Sequence, residues 1–151
     1  MTERGSGWVA SQFALMAVVI VAGFLPPDWP DAARAVRIVL AVALIGAGGT
    51  FALWASRELG RALTPFPKPK PVGLVTSGPF AFVRHPIYLG FLGVFIGYGL
   101  LTGVLALALA VVLAVLWVGK TRVEERLLTD VYSEYAGYCG RVRWRIVPYV
   151  Y

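Results

Sequence analysis

The chain has 151 residues, is 58% hydrophobic and has a mean hydropathy of +0.72, which is too apolar for an ordinary soluble domain. Its net charge is +6, but the basic residues gather at the ends of apolar runs, so the charge does not indicate a nucleic-acid-binding protein. The single Cys139 excludes an internal disulfide, and the single His85 argues against a histidine-based metal site. These observations predict a one-domain, all-α integral membrane protein with no metal site.

Four apolar runs are long enough to be considered as membrane spans, namely residues 8–25, 35–55, 86–101 and 103–119. The first lacks a strongly basic start and a signal-peptidase site, so we expect it to remain as a helix. The third and fourth are separated only by Thr102 and Gly103, which predicts a helical hairpin packed closely through its glycines. In the second run, Gly46, Gly48 and Gly49 predict close approach of a neighbouring helix, or alternatively a kink beside a ligand. The expected architecture is a bundle of about four transmembrane helices.

The linker at residues 56–85 is the longest polar segment of the chain. Proline at alternate positions from Pro65 to Pro71 excludes regular helix, so we expect an extended segment along the membrane surface. A connection of this length is often functional, although a basic strap that attracts anionic lipid headgroups is the alternative. Its basic residues are Arg57, Arg61, Lys68, Lys70 and Arg84.

The tail at residues 120–151 is also basic. It carries Lys120, Arg122, Arg126, Arg141, Arg143 and Arg145, whereas the connection between the first two runs offers only Arg34 at its edge. By the positive-inside rule, the linker, the tail and both termini are expected in the cytoplasm. The tail should begin with an amphipathic helix, and the three-residue spacing of Tyr132, Tyr135 and Tyr138 is more typical of an interfacial aromatic belt than of a binding site.

The segment Arg84-His85-Pro86 is the main candidate for chemistry. Pro86 suits the first position of a helix, where free N–H groups and a partial positive charge favour a carboxylate or phosphate. Glu124 and Glu125 lie just beyond the end of the fourth apolar run, on the same predicted side of the membrane as Arg84 and His85. Together these groups could bind both charges of an amino-acid moiety. The alternatives are an interfacial Arg-His anchor and a simple ion pair between Lys120 and Glu124.

These residues carry a resemblance. The segments are Gly78-Pro79-Phe80, the block Val83-Arg84-His85-Pro86-Ile87-Tyr88-Leu89-Gly90, Glu124-Glu125 with Leu127-Leu128, Tyr135 and Tyr138, and Arg145-Ile146-Val147-Pro148. Together they resemble the isoprenylcysteine carboxyl methyltransferase family in its short bacterial form, and its phospholipid methyltransferase relatives. The resemblance covers about residues 57–148. It implies an integral membrane methyltransferase that uses S-adenosyl-L-methionine, with a lipophilic small molecule or lipid as methyl acceptor, located in a bacterial inner membrane.

The resemblance also implies roles for individual residues. Cofactor binding would fall to the helix start and the glutamate pair, and the methyl acceptor would lie near the basic tail, with the linker closing over the site. One departure concerns the tail, where Arg143 stands at a position that is often proline in the family, so that Arg145 must serve as the motif arginine. The expected residues are Arg84, His85, Tyr88, Glu124 and Glu125 for the cofactor, with Arg145 and Arg141 for catalysis.

Two other readings of the sequence remain open. One is a nicotinamide-dependent enzyme similar to membrane sterol reductases, although the chain is short and shows no further phosphate-binding region. The other is a non-catalytic membrane protein whose basic face binds anionic lipid or a partner. Cofactor binding distinguishes the enzyme from the anchor. The acceptor itself could be a carboxylate, a thiol or an amine.

Overall fold

The computed structural model describes residues 5–151, and in this range the protein is all-helical. Two single 3-10 turns, Gly60–Ala62 and Gly78–Ala81, interrupt the long linker. The predicted all-α class is confirmed. The α-helices are α1 Ser6–Ala22, α2 Arg34–Leu59, α3 Pro86–Thr102, α4 Val104–Val131 and α5 Tyr135–Arg141.

The outer surface of the bundle is apolar, as a lipid-facing surface requires. Two helical segments, Arg34–Ala62 and Val104–Val131, are long and apolar enough to cross a membrane, and only 17% of the most apolar window of the first is buried. The helices α1 and α3 are also apolar but have 17 residues each. A large exposed apolar surface of this kind is incompatible with a soluble monomer, so the helical membrane bundle is confirmed. The count of four spans stays a prediction.

Close packing of α2 on α3 depends on glycine. A Cβ atom on Gly48 would lie 2.5 Å from the carbonyl oxygen of Gly90, and a Cβ atom on Gly90 would lie 2.6 Å from the carbonyl oxygen of Gly48. Gly93 and Gly97 also face α2, whereas Gly99 faces Leu107 of α4. The prediction of close approach at Gly48 is therefore confirmed. The glycines of α3, however, mainly serve its packing on α2 and not the hairpin with α4.

We expect Gly90→Ala to lower the free energy of unfolding by about 2 kcal/mol, because backbone atoms block the new methyl group and the two helices must separate. Thermal unfolding in detergent measures this effect. Gly46→Ala is the matched control: no atom lies within 4 Å of its Cβ position, so the better helix propensity of alanine should leave stability unchanged or raise it. Equal effects of the two changes would contradict this account.

Two helices extend beyond the predicted ends of their apolar runs. The span at residues 103–119 and the amphipathic helix that follows it form one continuous helix, α4, which ends only at Val131. Likewise α2 continues to Leu59, because no proline occurs between Arg34 and Pro65 and nothing in residues 56–59 interrupts the hydrogen-bonding pattern. The extended part of the linker therefore begins after Ala62. This part, residues 63–75, is called the strap below.

Polar side chains of the connection between α1 and α2 form hydrogen bonds at the end of the bundle opposite the strap. Asp28 Oδ1 accepts a hydrogen bond from the backbone N–H of Val104 at 2.7 Å and so caps the start of α4. Trp29 donates to the carbonyl oxygen of Gly99, and Arg37 donates to that of Leu100. These contacts satisfy free carbonyl groups at the end of α3. The candidate site lies at the other end of the bundle, beside the strap.

Candidate functional site

The start of α3 lies against the tail. His85 is the N-cap of α3 and Pro86 is its first residue, as predicted. The backbone N–H of Arg84 donates to the carbonyl oxygen of Trp144 at 2.9 Å, and that of His85 donates to the carbonyl oxygen of Arg145 at 2.7 Å. These two hydrogen bonds place Arg145 beside His85, although sixty residues of chain separate them.

The two glutamates have different partners. Tyr88 donates its hydroxyl hydrogen to Glu124 at 2.8 Å, and Lys120 Nζ lies 3.6 Å from the same oxygen. Glu125 is bound by the tail instead, with Arg145 Nε at 2.9 Å. The imidazole of His85 lies between them, with Nδ1 3.5 Å from Glu124 and Nε2 3.3 Å from Glu125. His85 therefore joins both carboxylates into one buried cluster.

Lys120 is a further member of the cluster that sequence reasoning did not assign to the site. Its side chain is fully buried, and Nζ donates to Gln12 Oε1 of α1 and to the carbonyl oxygen of Pro65 in the strap, both at 2.8 Å. Gln12 also accepts a hydrogen bond from Trp117. The available signals were Gln12 inside the first apolar run and Lys120 directly after the fourth, since buried polar groups at membrane depth are costly and tend to be functional.

A cavity of about 490 Å³ opens beside this cluster. It has the size of a typical small-molecule site, and its wall is mainly apolar with a few polar groups at one end. The strap covers it and is held in place by Lys120 and by Tyr132, whose hydroxyl donates to the carbonyl oxygen of Lys70 at 2.6 Å. The polar residues of its wall are Gln12, Ser56, Thr64, Lys70, Arg84, His85, Tyr88, Lys120, Glu124, Tyr132, Tyr135 and Tyr138.

Glu125 does not line this cavity. It faces a separate, open cleft with Arg122, Arg126 and Arg145. Arg122 and Arg145 both donate to the hydroxyl oxygen of Tyr151, at 3.2 and 2.8 Å. Burial alone would raise the pKa of Tyr151, but these two hydrogen bonds lower it below its usual value. The cleft is thus strongly basic and shares Glu125 with the cluster.

Tyr135 and Tyr138 are not interfacial. Each is only 2% exposed, and both line the main cavity. The Tyr138 hydroxyl donates to the carbonyl oxygen of Phe80 at 2.7 Å. Burial raises the pKa of both residues, so both hydroxyls remain protonated at neutral pH. The prediction of an aromatic belt was wrong for these two residues, because both side chains are buried in a cluster with Leu74 of the strap and Leu128 of α4.

The structure brings together every predicted site residue except Arg141. Arg84, His85, Tyr88 and Glu124 line the cavity, while Glu125 and Arg145 face the basic cleft. Arg141 is exposed in the last turn of α5, with its guanidinium near Gly137 of the same helix. Within residues 5–151, no group of three or more His, Cys, Asp and Glu side chains is arranged to hold a metal ion.

The chain is similar to two bacterial metal-resistance proteins. It is 39% identical over 70 residues to the cobalt-zinc-cadmium resistance protein CzcN of Cupriavidus metallidurans, covering 45% of this chain and 32% of that protein. It is 36% identical over 75 residues to the nickel-cobalt-cadmium resistance protein NccN of Alcaligenes xylosoxydans xylosoxydans, covering 48% of this chain and 35% of that protein. The matched region spans about a third of the length of these curated relatives.

The family model described as phospholipid methyltransferase matches residues 36–135, which is more than half of the chain. The match includes α2, the strap, the start of α3 and the glutamate pair. It confirms the family resemblance that the Arg84–Gly90 block and Glu124-Glu125 indicated. The chain belongs to the phospholipid methyltransferase family.

Proposed function

We propose that the protein transfers a methyl group from S-adenosyl-L-methionine to a lipophilic acceptor at the cytoplasmic face of a bacterial inner membrane. The observation that carries this proposal is the cavity of about 490 Å³ with Arg84, His85 and Glu124 at its polar end. The cofactor has an amino-acid end of mixed charge and an apolar-faced nucleoside. A cavity with both charges at one end and aromatic walls suits such a molecule.

Within this proposal, Glu124 binds the ammonium group and the Arg84-His85 pair binds the carboxylate. Glu124 is suited to the first role because it lines the cavity and its side chain is 14% exposed in the absence of ligand. His85 is fixed between two carboxylates, and its position at the helix start adds the partial positive charge of free N–H groups. When bound, such a cofactor would supply a methyl group attached to a positively charged sulfur. The bond between the methyl carbon and the sulfur would break as a lone pair of the acceptor bonds to the methyl carbon.

The protein's own contribution is alignment and exclusion of water. The strap covers the cavity through the hydrogen bonds of Lys120 and Tyr132, which keeps bulk water from the reacting atoms. The wall toward the bundle is apolar and includes Phe13, Met16 and Phe91. Phe13 is half-exposed on the outer surface of α1, so apolar side chains extend from the lipid to the cavity. The acceptor's hydrocarbon part is proposed to lie along this wall.

Arg145 is proposed to orient the polar end of the acceptor from the side of the basic cleft. Its side chain is two-thirds buried, and its guanidinium is held by Glu125 and Tyr151, which fixes its direction. Burial by itself would lower the pKa of Arg145, but the contacts with Glu125 and Tyr151 outweigh this effect, and the pKa is raised. A fixed guanidinium suits a carboxylate or phosphate group. Arg141 is proposed as a weaker contributor, because it lies outside the cluster.

The test is binding of S-adenosyl-L-methionine to detergent-purified protein by calorimetry, followed by transfer of a labelled methyl group into lipid extracts. We expect micromolar affinity in the wild type and a loss of at least tenfold in His85→Ala, because the imidazole is a central group of the cluster. Arg141→Ala is the control and should bind the cofactor normally. A folded wild type without cofactor binding would leave the lipid-anchoring reading as the better one.

A further inference from the structure

Two buried polar atoms at the polar end of the cavity lack a hydrogen-bond partner. Within the part of the chain that the structure describes, the Tyr135 hydroxyl and Arg84 Nε are buried and form no hydrogen bond. Both residues line the main cavity. Unpaired buried donors are rare in folded proteins, because each costs the energy of removing it from water. Two of them on one cavity indicate a missing acceptor.

Nearby groups do not supply this acceptor. Arg84 Nε lies 3.3 Å from Glu125 Oε1, which is an ion-pair distance, but the pair has no hydrogen-bond geometry. Glu125 is bound more closely by Arg145, at 2.9 Å. The thiol of Cys139 lies near Tyr135 but makes no hydrogen bond of good geometry with its hydroxyl, and a thiol is a weak partner in any case.

We propose that the Tyr135 hydroxyl and Arg84 Nε together bind one anionic oxygen of a ligand in this cavity. The inference rests on the proposed function and adds Tyr135 to the binding residues. Its hydroxyl can only donate to an anion, and burial keeps it protonated. The local charge permits an anion, since Glu125 is opposed by both Arg84 and Arg145. The oxygen belongs either to the carboxylate of the cofactor or to the polar group of the acceptor.

The experiment compares wild type and Tyr135→Phe for binding of S-adenosylhomocysteine and of its decarboxylated form, measured by calorimetry in detergent. If the oxygen is that of the cofactor, Tyr135→Phe lowers the affinity for S-adenosylhomocysteine about tenfold and leaves the affinity for the decarboxylated form unchanged. If it belongs to the acceptor, both affinities stay unchanged, and binding of oleate to the protein saturated with S-adenosylhomocysteine falls by a similar factor. An equal loss of affinity for both nucleosides, or an unchanged affinity for all three probes, overturns the inference.

Tyr138→Phe is the matched control, because it removes a buried tyrosine hydroxyl that already has a partner in the carbonyl oxygen of Phe80. It should lower the melting temperature and leave the ratio of the two nucleoside affinities as in the wild type. Tyr135→Phe should show the reverse, with an unchanged or raised melting temperature, since it removes an unpaired group. A wild type that binds neither S-adenosylhomocysteine nor oleate would overturn this inference together with the proposed function. Normal wild-type binding, with both the ratio of nucleoside affinities and the binding of oleate unaltered in Tyr135→Phe, would overturn this inference alone.

Discussion

Glu124→Gln is expected to lower the affinity for S-adenosyl-L-methionine by on the order of a hundredfold, with little change in thermal stability. The Glu124 carboxylate lines the cavity, and we propose that it is the counter-charge of the ligand's ammonium group. A glutamine has the same shape and its carbonyl oxygen can still accept the hydrogen bond from Tyr88. Lys120 keeps its two other acceptors, Gln12 and Pro65. Only the negative charge is lost.

Calorimetric titration of S-adenosylhomocysteine into the purified variant measures this effect without turnover, and thermal unfolding of the same preparation reports on the fold. Glu134→Gln makes the same change of charge on the exposed surface before α5 and should bind like the wild type. A Glu124→Gln variant that binds with wild-type affinity would refute the proposed role of Glu124, whatever its stability.

Glu125→Gln is expected to act on the fold and to lower the free energy of unfolding by about 3 kcal/mol. Glu125 is the negative group on which Arg84, His85 and Arg145 converge, and its side chain is 10% exposed. Without its charge, the guanidinium groups of Arg84 and Arg145 remain close together in a largely buried site, and their repulsion is no longer balanced. The contact between the tail and the start of α3 should weaken as a result.

Unfolding of this variant in detergent, followed by tryptophan fluorescence, measures the loss, and limited proteolysis should release the segment around Arg145 earlier than in the wild type. Glu134→Gln again provides the reference, with an expected change within about 0.5 kcal/mol because its side chain is exposed. We therefore expect opposite phenotypes: Glu124→Gln should lose cofactor affinity and keep its stability, whereas Glu125→Gln should lose stability. A Glu125→Gln variant of wild-type stability that fails to bind cofactor would show that their roles are exchanged.

The local part of the site was predictable from the sequence. Pro86 can start a helix but not continue one, so the positions of His85 and Tyr88 relative to α3 follow from the covalent properties of proline and from helical spacing. The class of protein followed equally from composition, because apolar runs of this length are stable only in a membrane. The family block then indicated which polar residues to examine.

Contacts between distant segments required the tertiary structure. Adjacent residues of a helix point in directions about 100° apart, so Glu124 and Glu125 must face different surroundings, but only the packing of α1, α3 and the tail determines which surroundings these are. The same holds for Lys120, whose hydrogen-bond partners lie in α1 and the strap, and for Tyr135 of α5, whose hydroxyl has no partner among the described residues. Sequence alone established the membrane helices, the helix start at Pro86 and the candidate polar residues. The tertiary structure decided which of these residues share a cavity, because that depends on contacts between segments that are far apart in the chain.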